Sequence, residues 1–187
     1  EEKTSPATIK IFNQPIGKLA PDERRAIGMR AAPEERLGHA AAPAMTLIEN
    51  TLITSHSEDV INQLGIIKFD NVKEKTKDIV SEFDVRTPTL DNAAASLSGG
   101  NLQKFVIGRE ILQKPRVFVV NQPTWGVDAA AAAFIRQSIL NLASNDSAVV
   151  VISQDLDELF EICDTFSVLT NGRMSKSHDI RSLSSED

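Results

Sequence analysis

The sequence predicts an α/β layer fold with a mostly parallel sheet. Two short, continuous apolar runs, Val117–Val120 and Ala148–Ile152, read as strands covered on both faces, as strands of a parallel sheet are. Around them, apolar residues recur at helical spacing, for instance Val72, Thr76, Ile79, Val80 and Phe83. Strand-like and helix-like stretches then alternate to the end of the chain. At 187 residues there is one ordinary domain's worth of sequence, enough for a real core.

Residues 1–8 read as a polar, frayed start, Ile9–Phe12 as a short strand and Asn13–Gly17 as a turn. Pro21-Asp22-Glu23-Arg24-Arg25 carries acids early and bases late, the order a helix dipole favours. Met29–Ala32 fits a strand stopped by Pro33. Thr46 caps a helix through Ile53, with Glu49 closing a capping box. Residues 54–71 are polar and irregular, with one short helix expected from Glu58 to about Ile67. Asn71 and Glu74 make a second box ahead of the Val72–Phe83 stripe. A helix from Ser98 to about Gln113 buries Leu102, Phe105, Val106 and Leu112, with Ile107 and Ile111 beside them, and Pro115 ends it. Val127 to Ala143 reads as helix, with Ala131, Phe134, Ile135, Ile139 and Leu142 inward and an alanine run that suits it by propensity. Asp155 and Glu158 box the next helix, whose Leu156, Leu159, Phe160 and Cys163 face the core, so Cys163 is expected to be an inert core thiol. Phe166–Leu169 reads as a strand, Asn171-Gly172 as a hairpin turn, and the rest as a tapering tail.

Composition excludes several function classes. Twenty Lys and Arg against 26 Asp and Glu give a net charge of −6, so no basic surface attracts nucleic acid or an anionic membrane. One cysteine rules out an internal disulfide framework and fits the cytosol. No run is long and apolar enough to span a bilayer, and no signal peptide is expected. A membrane role is therefore expected only through a partner.

The chemistry concentrates in Leu97-Ser98-Gly99-Gly100-Asn101-Leu102-Gln103-Lys104. Serine is a good N-cap, and glycines let the backbone approach a ligand closely. The helix that follows offers free N–H groups and a positive dipole end to an anion, and Gln103, one turn in, offers a neutral donor. A capped surface helix that binds nothing has the same local sequence. The longer string resembles the signature motif of the ATP-binding cassette (ABC) ATPases. Val117-Phe118-Val119-Val120-Asn121-Gln122-Pro123-Thr124 resembles their Walker B strand, and Gly126-Val127-Asp128 their D-loop, in the family's order and spacing.

Other stretches resemble one branch of that family. Pro33-Glu34-Glu35-Arg36 falls where a Q-loop is expected and is similar to the second ATPase half of sugar-type and nucleoside-type importers; by itself it is equally an ordinary charged loop. Phe83-Asp84-Val85-Arg86-Thr87-Pro88 resembles the approach to the signature in nucleoside and basic-membrane-lipoprotein importers. The resemblance implies an ABC ATPase domain with a helical subdomain at 46–114, between core segments 1–45 and 115–187. Pro33, Glu34, Glu35 and Arg36 would then face the membrane subunits. Ser98, Gly99, Gly100, Asn101, Gln103 and Asp128 would act on ATP held by another ATPase half, in the same or a second chain.

This half's own site departs from the family pattern. No Gly-x-x-x-x-Gly-Lys-Ser/Thr occurs in the chain, whose simplest account is a fragment of a longer polypeptide expected to bind ATP weakly if at all. Asn121 stands for the Mg2+ aspartate, Gln122 for the catalytic glutamate and Gln154 for the switch histidine. Amides neither accept a proton nor bring full negative charge to a metal. Losing a positioned general base costs roughly 10²–10⁴-fold, so no catalytic residue and no metal ligand is expected here. ATP and Mg2+ belong to the complete transporter. Trp125 replaces an arginine common before the D-loop, which leaves that loop's shape open. The implied setting is peripheral, on the cytoplasmic side of the membrane, with transmembrane permease subunits and, indirectly, a solute-binding lipoprotein. The alternative is a non-catalytic ABC-like domain kept for dimerisation or regulation.

Overall fold

A computed structural model describes residues 9–58, 61–63 and 65–182. The expectations for 1–8 and for the last five residues of the tail lie outside them. The chain opens with a hairpin of β1 (Lys10–Ile11) and β2 (Gln14–Pro15). Its turn is shorter than the expected Asn13–Gly17: Phe12 and Asn13, at φ 49° and 64°, close it in two residues, and Gln14 already pairs with Ile11. Next come α1 (Pro21–Ala26) and β3 (Met29–Ala32), both as expected. In α2 (Leu47–Ser55), Thr46 Oγ1 accepts from the Glu49 N–H at 3.1 Å and the Thr46 N–H donates to Glu49 Oε2 at 2.8 Å, which is the expected capping box.

The helix expected from Glu58 to Ile67 is a hairpin instead, β4 (Asn62–Gln63) against β5 (Ile66–Ile67), although Asp59, Val60 and Leu64 lie outside the described residues. Gly65, at φ 80°, supplies the turn that would break a helix there. α3 (Phe69–Glu82) starts at Lys68 without a side-chain cap, so the Asn71–Glu74 box does not form; its stripe does bury Val72, Thr76 and Ile79. α4 (Gly99–Ile111) ends before the expected Gln113, with Lys114 at φ 49° ahead of Pro115. β6 (Val117–Asn121), α5 (Ala129–Ser144), β7 (Ala148–Ile152) and α6 (Leu156–Ile162) follow. The expected strand Phe166–Leu169 is two pieces. β8 (Thr165–Phe166) pairs with β11 (His178–Asp179), and β9 (Leu169–Thr170) pairs with β10 (Arg173–Met174) around Asn171-Gly172.

β3, β6 and β7 form one parallel sheet in that order, with Met29 opposite Val117 and Val117 opposite Ala148. α4 and α5 cover one face, where Phe118, Val120, Phe105, Ile135 and Ile139 are almost fully buried. The expectation of cover on both faces fails: β6 alternates buried and half-buried positions, and Val150 and Ile152 on β7 are half exposed. The apolar run reports what a strand favours burying, and nothing among the described residues covers that second face. Leu156 and Phe160 are exposed rather than inward, and Phe134, though it packs edge-on against Phe83 with ring centroids 5.5 Å apart, is also partly exposed. Cys163 is half-buried rather than in the core, and desolvation raises its thiol's pKa.

A polar network knits α1, α2, β3 and α4. Glu110, 1% exposed, accepts from Arg25 Nη2 at 2.9 Å and from Arg109 Nε at 3.0 Å. Arg109 also donates to the carbonyls of Asn50 (3.2 Å) and Ala40 (2.7 Å). Gln113 Oε1 accepts from Arg25 Nη2 at 2.9 Å and from Arg30 Nε at 2.8 Å. The interior of α4 is therefore more charged than its apolar stripe suggests.

Candidate functional site

All three parallel strands deliver their carboxyl ends to one side, where open α/β sheets bind ligands. β3 leads to Pro33–Arg36, β6 to Asn121 and Gln122, and β7 to Ser153 and Gln154. The register sets Asn121 opposite Ile152, which brings the amide positions to neighbouring strand ends. Gln122 is 7% exposed, has φ 50°, and its N–H donates to the Ile152 carbonyl at 2.7 Å. Gln154 is exposed.

A buried carboxylate joins the two turns. Glu158 is 2% exposed; its Oε1 accepts from Thr124 Oγ1 at 2.6 Å and its Oε2 from Ser153 Oγ at 2.7 Å. The sequence assigns Glu158 only half of a capping box. Asp155 does accept from the Glu158 N–H at 3.1 Å, but the Asp155 N–H donates to Ser153 Oγ at 3.1 Å instead of to Glu158. The Ser153 hydroxyl lies only five residues away, but no local pattern could disclose the hydroxyl that Thr124 brings from the turn after β6.

The amino end of α4 lies beside these turns. Ser98 is its N-cap (φ −62°, ψ 155°) and, like Gly99, is exposed. Ser98 Oγ accepts from Asn101 Nδ2 at 2.9 Å, and Asn101 Oδ1 accepts from the Arg86 N–H at 2.8 Å. Lys104 reaches the Asp84 carbonyl and Asp84 Oδ2 (3.0 Å), and this pairing holds the Asp84 carboxyl below its usual range. The approach segment is thus pinned to the first turn of α4 at two points. Gln103 is not the surface donor the sequence suggests. It is 2% exposed, and its Nε2 donates to the Pro123 carbonyl at 2.7 Å, so it props the turn after β6 from below.

Asp128 caps α5: its Oδ1 accepts from the Ala131 N–H at 2.9 Å, and this bond lowers its pKa from 3.8. A carboxyl whose pKa is depressed by folding stabilises the fold above its unfolded value and ceases to do so as pH falls through the folded one. An Asn at this position keeps the cap without titrating. As pH falls below the ordinary carboxylate range, the urea midpoint of the wild type should therefore drop by more than that of Asp128→Asn; parallel pH curves would remove this role.

Pro33, Glu34, Arg36, Gly99, Asn121 and Trp125 line one cleft of about 890 Å3. Trp125 is 66% exposed at its rim. Arg36 turns inward, its Nη1 donating to the Gly99 carbonyl at 3.2 Å and its Nη2 to the Trp125 carbonyl. Gln154 does not line this cleft.

No family model matches the chain. Individual relatives do. Over 172 residues it is 31% identical to the guanosine import ATP-binding protein NupO of Bacillus subtilis, covering 92% of this chain and 34% of that protein. Over 168 residues it is 32% identical to the galactose/methyl galactoside import ATP-binding protein MglA of Mannheimia succiniciproducens, covering 90% of this chain and 33% of that one. The chain spans about a third of the length of these curated relatives. Its fold matches a dimeric ATP-binding cassette in a post-hydrolysis state bound to ADP and Pi, with a TM-score of 0.73, 19% identity, and coverage of 92% of this chain and 73% of that one. The chain belongs to the ABC ATPases.

An ABC ATPase implies ATP and Mg2+, and the strand ends of this one do not fit a metal site of its own. Asn121 and Gln122 offer neutral amides where Mg2+ favours carboxylates and water. Among the described residues no group of three or more His, Cys, Asp or Glu is placed to hold a metal. Likewise, no helix among them is long and apolar enough to cross a membrane.

Proposed function

We propose that this chain is part of the ATP-binding component of an importer for nucleosides, simple sugars or related solutes, and that it completes the ATP site of a partner ATPase half. The observation that carries this reading is an asymmetry. The Ser98–Gly100 turn stands exposed at the start of a long helix, while Asn121, Gln122 and Gln154, all amides, occupy the strand ends. The import functions in the relatives' names and the dimeric form of the solved cassette support it.

In this reading residues 46–114 act as the helical subdomain that carries the turn. The N–H groups at the start of α4 and the Ser98 hydroxyl meet the phosphates of nucleotide bound to the partner half, which supplies the attacked phosphoryl group and its metal. Preorganised donors of this kind act on developing charge without reorganising. Asn101 holds the Ser98 hydroxyl, Gln103 holds the turn after β6 through the Pro123 carbonyl, and Asp128 fixes the loop before α5. The amides leave this half's own site without a general base, so hydrolysis belongs to the partner's site. Pro33, Glu34 and Glu35 face transmembrane permease subunits at the cytoplasmic side of the membrane, and a solute-binding lipoprotein feeds those subunits.

The test is ATP-driven uptake into vesicles that carry the full-length protein and its membrane partners. Saturable accumulation of a labelled nucleoside or sugar that depends on ATP is expected. ATP hydrolysis with no uptake of any solute in these classes would overturn the importer assignment.

A further inference from the structure

We propose that Arg36 is a positioning residue that locks the turn at the start of α4 to the turn ahead of α5, so that both move as one when the Pro33–Arg36 segment is displaced. This rests on the reading above, in which the Ser98–Gly100 turn meets the nucleotide of the partner half.

The guanidinium bridges two segments far apart in sequence. Nη1 donates to the Gly99 carbonyl at 3.2 Å, and Nη2 donates to the Trp125 carbonyl. Both acceptors are main-chain oxygens, so the bridge fixes backbone position rather than reading side chains. The two turns are shaped to receive it. A Cβ at Gly99 would lie 2.9 Å from Arg36 Nη1, and one at Gly126 would lie 3.3 Å from Nη2. Gly126 also has φ 65°, a conformation that side chains rarely adopt. Glycine thus stands at both places where the guanidinium rests on the backbone.

The base of the arginine is fixed as firmly as its tip. The Arg36 carbonyl accepts from the N–H groups of Ala40 (3.1 Å) and Ala41 (2.7 Å). Ala41 is buried, and the Ala40 carbonyl accepts from Arg109 Nη2 at 2.7 Å in the interior of α4. A displacement of Pro33–Glu35 therefore reaches both turns through one side chain. Only arginine suits this geometry. Its planar fork presents two donors at fixed spacing, whereas a lysine ammonium places all three of its donors on one nitrogen at the end of a flexible stem and does not reproduce that spacing. The resemblance implies that Arg36 faces the membrane subunits, and the fold shows its guanidinium reaching inward to the Gly99 and Trp125 carbonyls.

The experiment uses the full-length protein with its membrane partners in vesicles, and compares wild type, Arg36→Ala and Arg36→Lys. ATP hydrolysis and solute uptake are measured in the same vesicles, per folded transporter. Arg36→Ala is expected to lower kcat about tenfold with KM for ATP changed less than about twofold. Uptake should fall further, so that solute moved per ATP drops at least about threefold, and Arg36→Lys should not restore it. Hydrogen exchange at the Gly99–Asn101 and Trp125–Val127 amides should rise together in Arg36→Ala. An unchanged transport ratio, full rescue by lysine, or exchange that rises at one turn alone would overturn the proposal. Wild-type vesicles without ATP-driven uptake would instead remove the importer reading, and the exchange measurement would still decide whether Arg36 couples the turns.

Discussion

Ser98→Arg should abolish ATP hydrolysis by the full-length protein in its complete assembly, a loss of at least about 10²-fold, while leaving the chain folded. Ser98 is exposed at the N-cap of α4, with its hydroxyl oxygen held by Asn101 Nδ2 at 2.9 Å. An arginine there removes the hydroxyl, fills the space over Gly99 and Gly100, and adds a cation at the positive end of a helix dipole. The structural cost is only a lost cap, about 1 kcal/mol, or a few degrees in Tm for a chain of this size. Ser98→Asn separates the two roles. Asparagine caps a helix as well as serine does, so Tm should hold while hydrolysis still falls. Wild-type hydrolysis in Ser98→Arg would sink the claim that this turn completes an ATP site. Hydrolysis that tracks Tm across both variants would reduce Ser98 to a cap.

What the sequence discloses is what neighbours along the chain decide. Met29–Ala32 is a strand ended by Pro33, Thr46 and Glu49 box α2, and Asn171-Gly172 turns a hairpin, because a few adjacent residues suffice for each. The order of signature-like turn, apolar strand and D-loop-like turn was equally legible, since each lies within one short stretch. The misses have the opposite character. Gln103 reads as a surface donor from its place one turn into a capped helix, yet the fold turns it under Pro123. Glu158 takes hydroxyls from Thr124 and Ser153, and Arg36 takes carbonyls from Gly99 and Trp125. Apart from Ser153, five residues before Glu158, each partner arrives from another element, and no periodicity encodes that. The hairpin of β4 and β5 has a local cause: Gly65, at φ 80°, turns the chain where the polar run before it would suit a helix.

The largest effect on stability is expected from Glu110→Ala. Glu110 is 1% exposed and Arg109 is 3% exposed, and the Glu110 carboxylate also takes Arg25 Nη2 at 2.9 Å. Burial lowers the pKa of the Arg109 guanidinium, and the charge of Glu110 opposes that shift. Truncating the acid leaves the buried Arg109 guanidinium without its carboxylate and removes that partner from the partly exposed Arg25, which costs about 3–5 kcal/mol and lowers Tm by roughly 10 °C or more. Glu110→Gln retains an acceptor and should cost less, about 2 kcal/mol. Replacing Arg109 as well does not make the loss harmless, because its guanidinium also serves the carbonyls of Asn50 and Ala40. Each buried carbonyl left without a donor costs about 1–3 kcal/mol. The decisive measurement is a double-mutant cycle by urea unfolding, with Glu110→Ala made alone and on an Arg109→Met background. The acid should matter less once the arginine is gone, by about 1–3 kcal/mol of coupling. Equal costs in both backgrounds would show that lost packing, rather than an uncompensated buried charge, is what Glu110 guards against.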